Sequence, residues 1–272
     1  MSEAYLNKLG PFLIPHNNLP ISIGKLGGVE ASHCAEYLKS GTPKRMVEEM
    51  LYINAGIYCK NEQSLISWLD NYLLAVKDLD YVMPWCKDYG DSYVIDSVGT
   101  GKLLHSFSQI EPFDHRQDGW HYRLGDKRVL CVSQLKDTIG QQINRYSEIW
   151  PGAKIGSCVV IGVGYSEALT GLPPIDWQTK IDILKEEILK AEFDCAVVGA
   201  GGYSLEVCRF IKAMGKSCIH IGGGTQLLFG IRGKRWDRIF HDKDWYGTQA
   251  WVRPMYHEIP KKQELVEGGC YW

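Results

Sequence analysis

Two glycine-rich turns in the second half of the chain have the residue types that bind phosphate. The GAGGYS turn at 199–204 follows an apolar run at 195–198, and the GGGTQ turn at 222–226 follows another at 218–221. Glycine lets a ligand approach the backbone closely, and N–H groups at the start of a helix favour an anion. A third turn, GKLGG, lies near the start of the chain at 24–28. Three such turns predict a ligand that carries phosphate.

Neither of the later turns matches a known phosphate-loop spacing. Ser204 stands where a G-x-G-x-x-G motif needs its third glycine, and no Gly-Lys-Ser/Thr follows that would make a Walker A loop. A single turn of this kind is equally well explained as a tight structural turn. Only the recurrence of the turn at several strand ends favours the ligand.

Basic residues follow the second turn directly. The segment GIRGKRWD at 230–237 contains Arg232, Lys234 and Arg235. A guanidinium binds phosphate oxygens through a two-pronged fork, so the cluster can clamp a diphosphate. Its structural alternative is a solvated basic loop.

Two titratable residues stand next to these turns. His220 ends the apolar run that precedes the GGGTQ turn, and Glu30 lies in the first helical turn after GKLGG. Both are candidates for acid–base chemistry. The alternatives are a packed histidine at a strand end and a helix-terminal acid that complements the helix dipole.

The elements that position these residues alternate between strand and helix. Apolar runs predict strands at 21–23, 79–83, 128–133, 157–164, 195–198 and 218–221, while helical periodicity predicts helices at 29–41, 43–54, 62–78, 137–150, 178–191 and 204–214. A strand–helix–strand unit makes its two strands parallel neighbours. We therefore expect an α/β fold, Rossmann-like and doubly wound, with a mostly parallel sheet and helices on both faces. The segment 53–58 is predicted to be a turn, and 86–120 has no assignment beyond an acceptor-side lid.

Composition limits the function classes. The chain has 272 residues, 45% of them hydrophobic, and a formal net charge of −2. That charge gives no electrostatic case for nucleic acid, and no apolar run has transmembrane length. The nine cysteines form no CxxC pair, which is typical of reduced core cysteines and a cytoplasmic compartment. We expect one domain over 1–272, with no membrane span, that can form a homo-oligomer.

The order of these segments resembles glycosyltransferases of the GT-D fold and their uncharacterised bacterial and viral relatives near polysaccharide genes. The pieces that carry the resemblance are ISIGKLGGVE, INAGIY, KRVLCVSQLKDTIGQQ, FDCAVVGAGGYSLEVCRFIKAMGKSCIHIGG and the tail with QLLFGIRGKRW, WVRP and VEGGCYW. They cover the chain from about residue 21 to residue 272.

The resemblance implies transfer of a sugar from a nucleotide-diphosphate donor to a glycan or polysaccharide acceptor. In that family an Asp-x-Glu pair holds a divalent metal. Here the pair reads Gly28-Val29-Glu30, so the implied Mn²⁺ or Mg²⁺ becomes weak or optional, with Glu30 as its one carried-over ligand. Glu30, Asp176 and His220, in that order, are the candidates for a general base. The predicted donor-binding residues are Lys25, Gly27, Gly28, Gly199, Gly201, Tyr203, Gly222, Gly223, Gly224, Gln226, Arg232 and Arg235.

Two other functions stay open at this point. The first is a non-catalytic subunit that binds a nucleotide or phosphosugar and partners an active transferase, which the missing aspartate favours. The second is a nicotinamide oxidoreductase. It is disfavoured because its ribose-binding acid about 20 residues past the glycine turn has no counterpart, since 221–225 is another glycine turn.

Overall fold

The chain folds around one parallel β-sheet. A computed structural model describes residues 19–43, 48–99, 101–104, 110–112 and 119–272. Within them, seven strands pair in the order β3-β2-β1-β7-β6-β4-β5, and every pairing is parallel. The strands are β1 Ser22–Lys25, β2 Tyr81–Met83, β3 Lys102–Leu103, β4 Val129–Ser133, β5 Cys158–Gly162, β6 Cys195–Gly199 and β7 Ser217–His220.

Helices connect these strands. The α-helices are α1 Gly28–Ser40, α2 Glu48–Met50, α3 Glu62–Lys77, α4 Asp91–Val98, α5 Lys136–Gln142, α6 Tyr146–Ile149, α7 Glu167–Thr170, α8 Trp177–Lys190, α9 Ser204–Ala213, α10 Gly224–Leu228 and α11 Lys234–Phe240. Short 3₁₀ turns lie at Lys87–Tyr89, Trp120–Arg123, Ile143–Arg145, Gly201–Tyr203, Tyr256–Glu258 and Gln263–Leu265. In the described part of the chain, no helix is long and apolar enough to cross a membrane.

The strand–helix–strand unit at the centre of the sheet confirms the sequence prediction. β6 and β7 are parallel, with registers from Cys195↔Ser217 to Val198↔His220. α9 joins them and ends one residue before the predicted boundary. The predicted doubly wound α/β fold is therefore correct.

Both faces of the sheet are buried. In β4, Leu130 and Val132 pack into a first core with helices α1, α3, α8 and α9, while Val129 and Cys131 pack into a second core with α5, α6, α10 and α11. Successive residues of a strand point to opposite faces, so a strand buried on both sides is apolar throughout. This explains why the strands appear in the sequence as continuous apolar runs.

The chain leaves the neighbouring strands β1 and β7 toward opposite faces. After β1, helix α1 places Ala31 and Cys34 in the first core, whereas after β7, helix α10 places Leu227 and Leu228 in the second. In open α/β sheets such a divergence marks the ligand-binding crevice, at the carboxyl ends of the two strands. The early GKLGG turn and the GGGTQ turn meet at this crevice.

Several boundaries differ from the sequence prediction. The predicted helix at 137–150 is divided into α5, a 3₁₀ turn and α6. The predicted turn at 53–58 begins as a π-helix over Leu51–Ala55, which Gly56 ends with φ 77. The unassigned 86–120 contains α4, bracketed by Gly90 and Gly99, both with positive φ. Residues 44–47, 100, 105–109 and 113–118 of these segments lie outside the described residues.

Candidate active site

Lys25 is the polar centre of the crevice. It is the last residue of β1, and its Nζ forms an ion pair with Glu111. Both side chains are nearly buried, with 10% and 5% of their area exposed. The same Nζ lies 5.0 Å from the centroid of the Trp85 ring. A cation held against an aromatic face and a carboxylate is a strongly positioned charge at a strand end.

Glu111 is a site residue that sequence reasoning missed. Its Oε1 accepts the hydrogen bond from Lys25, but its buried Oε2 has no hydrogen-bond partner among the described residues. That oxygen lies so close to Gly224 that a side chain there would collide with it. An unsatisfied buried acceptor is costly, so a ligand that donates a hydrogen bond here would be favoured. The isolated glutamate in QIEPF carries no motif that could have predicted this.

His220 is a neutral imidazole next to Gly222, where Lys25 also lies: a β-carbon at Gly222 would be 3.6 Å from Cε1 of His220 and 3.7 Å from Cε of Lys25. Its Nδ1 is 3.0 Å from the carbonyl oxygen of Val198 and 3.3 Å from the Gly222 nitrogen, so we assign the Nδ1 proton to the closer carbonyl. Burial lowers the pKa of His220 to about 4; the bond to Val198 opposes this, and the charge of Lys25 adds to it. The Nε2 atom then carries a lone pair, as a general base requires.

The lowered pKa of His220 predicts an acid-dependent loss of stability. The unfolded histidine, with a pKa near 6.5, binds a proton before the folded one, so the stabilising contribution is complete above about pH 6.5. We expect the free energy of unfolding to fall by about 3 kcal/mol as pH drops from about 6.5 to about 4. Urea titrations across this range measure it. His220→Asn, which keeps a donor toward Val198, should lose this part of the slope; an unchanged slope would contradict the assignment.

Glu30 is held by its own helix. It is the third residue of α1, and its carboxylate folds back against Gly27, where a β-carbon would collide with it. Burial raises its pKa, a hydrogen bond from its own backbone N–H opposes the shift, and the charge of Glu267 adds to it. These contacts are those of a carboxylate that satisfies a helix N-terminus, which was the structural alternative for this residue.

The described residues do not fit a divalent metal. They contain no group of three or more His, Cys, Asp or Glu side chains that could hold one. The carboxylate of Glu111 is paired with Lys25, and that of Glu30 caps its own helix. Mg²⁺ and Mn²⁺ prefer several oxygen ligands, and the described residues do not supply such a set.

Arg235 borders the second glycine turn. A β-carbon at Gly223 would lie 3.6 Å from Nη1 of Arg235 and 3.3 Å from the Tyr271 ring. The guanidinium carbon is 4.6 Å from the centroid of that ring, and Arg235 also pairs with Glu267. The arginine is thus fixed next to Gly223, and Lys25 lies next to Gly222, with its Cε 3.7 Å from a β-carbon position there.

Two other predicted donor-binding residues have structural partners instead. Gln226 donates to the Tyr271 carbonyl at 2.8 Å and accepts from the Trp236 indole at 3.0 Å, so both ends of its amide are used. Arg232 lies 3.3 Å from Asp237 and stacks at 5.7 Å on Tyr246. For both residues these contacts support the structural alternative, and their donor-binding roles stay predictions.

The GAGGYS turn is packed tightly against its neighbours. A β-carbon at Gly199 would lie 2.9 Å from the Gly222 carbonyl oxygen, and one at Gly201 would lie 2.8 Å from that of Ala55. The buried Tyr203 donates to the carbonyl of Gly56 at 3.2 Å. Close packing therefore accounts for these glycines, and only Gly199 touches the GGGTQ turn.

Asp176, the remaining candidate base, joins two helix starts. It precedes α8, and its Oδ1 accepts from the backbone N–H of Lys60 at 3.0 Å and from the Ser64 hydroxyl at 2.6 Å. These bonds tie the first turn of α3 to α8. The contacts of its carboxylate are structural ones, and its catalytic role stays a prediction.

Comparison with known proteins gives no family for this chain. Neither the models of known protein families nor the curated proteins matched the sequence. The function therefore has to be inferred from the crevice itself.

Proposed function

We propose that the protein is a glycosyltransferase that moves a sugar from a nucleotide-diphosphate sugar to a glycan or polysaccharide acceptor. The observation that carries this proposal is the pair of cations, Lys25 and Arg235, that lie next to successive residues of the glycine turn, Gly222 and Gly223. The turn lies at the carboxyl end of β7, where parallel sheets bind ligands. A diphosphate fits such a site because each of its phosphates presents anionic oxygens to a cation.

The chemistry asks the protein to stabilise charge on the leaving group. As the bond to the sugar breaks, negative charge develops on the nucleoside diphosphate, and fixed cations that face it lower the barrier. Arg235 lies on the Tyr271 ring and pairs with Glu267, and Lys25 pairs with Glu111, so each cation shares its charge with a carboxylate. For a reaction that inverts the sugar, the candidate general bases stay Glu30, Asp176 and His220, and the lowered pKa of His220 leaves its Nε2 unprotonated but weakly basic.

The cytoplasm suits this function. All nine cysteines of the chain are free thiols, and free thiols are typical of a reducing compartment. The resemblance also implies an optional Mn²⁺ or Mg²⁺, which the carboxylates of the described residues do not support.

A panel of sugar nucleotides tests the proposal. UDP-, GDP-, CMP- and dTDP-sugars are added to the protein, and the melting temperature and slow hydrolysis of each donor are measured. One nucleotide class is expected to raise the melting temperature, because a ligand that binds only the folded state stabilises it. The corresponding nucleoside without phosphate is the control and should not stabilise. Stabilisation by none of the four classes would contradict the proposal.

A non-catalytic binding subunit is the second candidate. The two ion pairs, Lys25 with Glu111 and Arg235 with Glu267, favour it, because carboxylates already neutralise both cations that a leaving diphosphate would need. The two functions differ in turnover. A binding subunit is stabilised by a sugar nucleotide but hydrolyses none of it, whereas a transferase shows slow hydrolysis even without an acceptor.

A further inference from the structure

We propose that three exposed aromatic rings, those of Trp85, Tyr89 and Tyr93, form a track that binds the acceptor glycan chain. The proposal rests on the proposed transferase function, since it assigns the acceptor of that same site. The three rings are called the aromatic track below, and the residues that carry them are 41%, 56% and 42% exposed.

The aromatic track begins at the candidate site and leads away from it along α1. Trp85 covers Lys25, and a β-carbon at Gly28, the first residue of α1, would lie 3.3 Å from the Tyr89 ring. The Tyr93 ring lies 5.0 Å from Nζ of Lys39 in the last turn of the same helix. At a rise of 1.5 Å per residue, the contacts at the two ends are about 16 Å apart along α1. The proposal requires an elongated ligand that ends at Lys25 and runs along this side of α1 across the three rings.

The backbone that carries the rings is held firmly. Asp91 is completely buried, and its carboxylate accepts hydrogen bonds from the backbone N–H groups of Trp85 at 2.7 Å and Cys86 at 2.8 Å. The Trp85 indole donates to the carbonyl of Leu26, and Gly90 lies so close to Ala35 that its β-carbon would be 2.9 Å away. Rings fixed in this way lose little entropy when a ligand covers them, which favours binding.

The chemistry of the rings suits a sugar chain. The flat C–H faces of pyranose rings stack on aromatic faces, and the tyrosine hydroxyls can bond to sugar hydroxyls, so each ring offers both an apolar face and a polar edge. Because such stacking depends on shape and not on charge, a row of rings can accept successive units of one chain. The end of the chain then lies at Lys25, beside the proposed donor.

The test measures glycan binding without any donor. Wild-type protein is run through native gels that contain dextran, soluble starch, laminarin, xylan or mannan, and its retardation gives the affinity. We expect one polysaccharide to retard the wild type, and Tyr89→Ala and Tyr93→Ala each to bind it about fivefold to tenfold more weakly. Tyr256→Ala is the matched control. Tyr256 is 92% exposed and does not belong to the aromatic track, so this variant should bind like wild type. Tyr93→Phe keeps the ring and should also be retarded.

Three outcomes would overturn the aromatic track. The first is that none of the five polysaccharides retards the wild type, and the second is that both alanine variants are retarded as strongly as the wild type. A third is a change of oligomeric state in the two variants by sedimentation, which would make this surface a contact between copies of the chain. Melting with sugar nucleotides is measured in parallel, so that failure of the track can be told apart from failure of the donor site.

Discussion

Replacing Lys25 with methionine is expected to lower the free energy of unfolding by about 3–5 kcal/mol, the usual cost of leaving a buried charge without its partner. The ion pair with Glu111 has little contact with water, and Oε2 of Glu111 has no hydrogen bond to another described residue. Without Lys25 the buried carboxylate loses its ion-pair partner. Urea denaturation at pH 7 measures the loss.

A double variant tests whether the loss of stability comes from the unpaired charge of Glu111. Lys25→Met combined with Glu111→Met removes both charges and keeps similar volumes, so most of the lost stability should return, because no ion is then left to desolvate. The matched control is Lys190→Met in the exposed pair with Glu187, whose side chains are 67% and 53% exposed. That change should have little measurable effect, since water screens the pair. If the double variant is as unstable as Lys25→Met alone, the pair is not the origin of the cost.

The central sheet could be predicted from the sequence because its signals are local. β6 and β7 are apolar runs bounded by glycines, and α9 between them has helical spacing and ends before Gly215, whose φ is 77. Each of these features is encoded within a few neighbouring residues. The parallel pairing then follows from the order of the elements.

The lining of the candidate site could not be predicted in the same way. Glu111 meets Lys25 across 86 positions of sequence, so no spacing connects them. Helix α4 is only eight residues long, and Asp91 at its start bonds to Trp85 and Cys86, outside the helix. The glycines of GAGGYS illustrate a different limit. A glycine that admits a ligand and a glycine that admits a neighbouring backbone look the same in a sequence, and Gly201 proves to be packed against Ala55.

Arg235→Ala is expected to lower transfer or donor hydrolysis about a hundredfold, because a charged donor lost from an oxyanion site typically removes roughly 3 kcal/mol of transition-state stabilisation. From the sequence alone, Arg232 and Arg235 are equally good candidates for binding the diphosphate. The structure separates them by position, since Arg235 borders Gly223 whereas Arg232 contacts Asp237 and Tyr246, although both arginines are ion-paired, Arg235 with Glu267. Arg232→Ala is therefore the matched control and should keep activity within a fewfold of wild type. The measurement is kcat and KM for the donor identified by the melting panel.

Two further measurements test whether Arg235 itself, and not a metal, binds the diphosphate. Arg235→Lys keeps the charge but loses the two-pronged fork, so its activity should lie between those of wild type and Arg235→Ala. EDTA should cost less activity than Arg235→Ala, since the described carboxylates do not form a metal site. Complete loss of activity with EDTA, together with an Arg235→Ala variant near wild type, would show that a metal carries the diphosphate and that Arg235 serves only to hold Tyr271 and Glu267. Equal losses in Arg232→Ala and Arg235→Ala would instead mean that the basic segment acts as a whole, and the position of Arg235 beside the glycine turn would then have no special role.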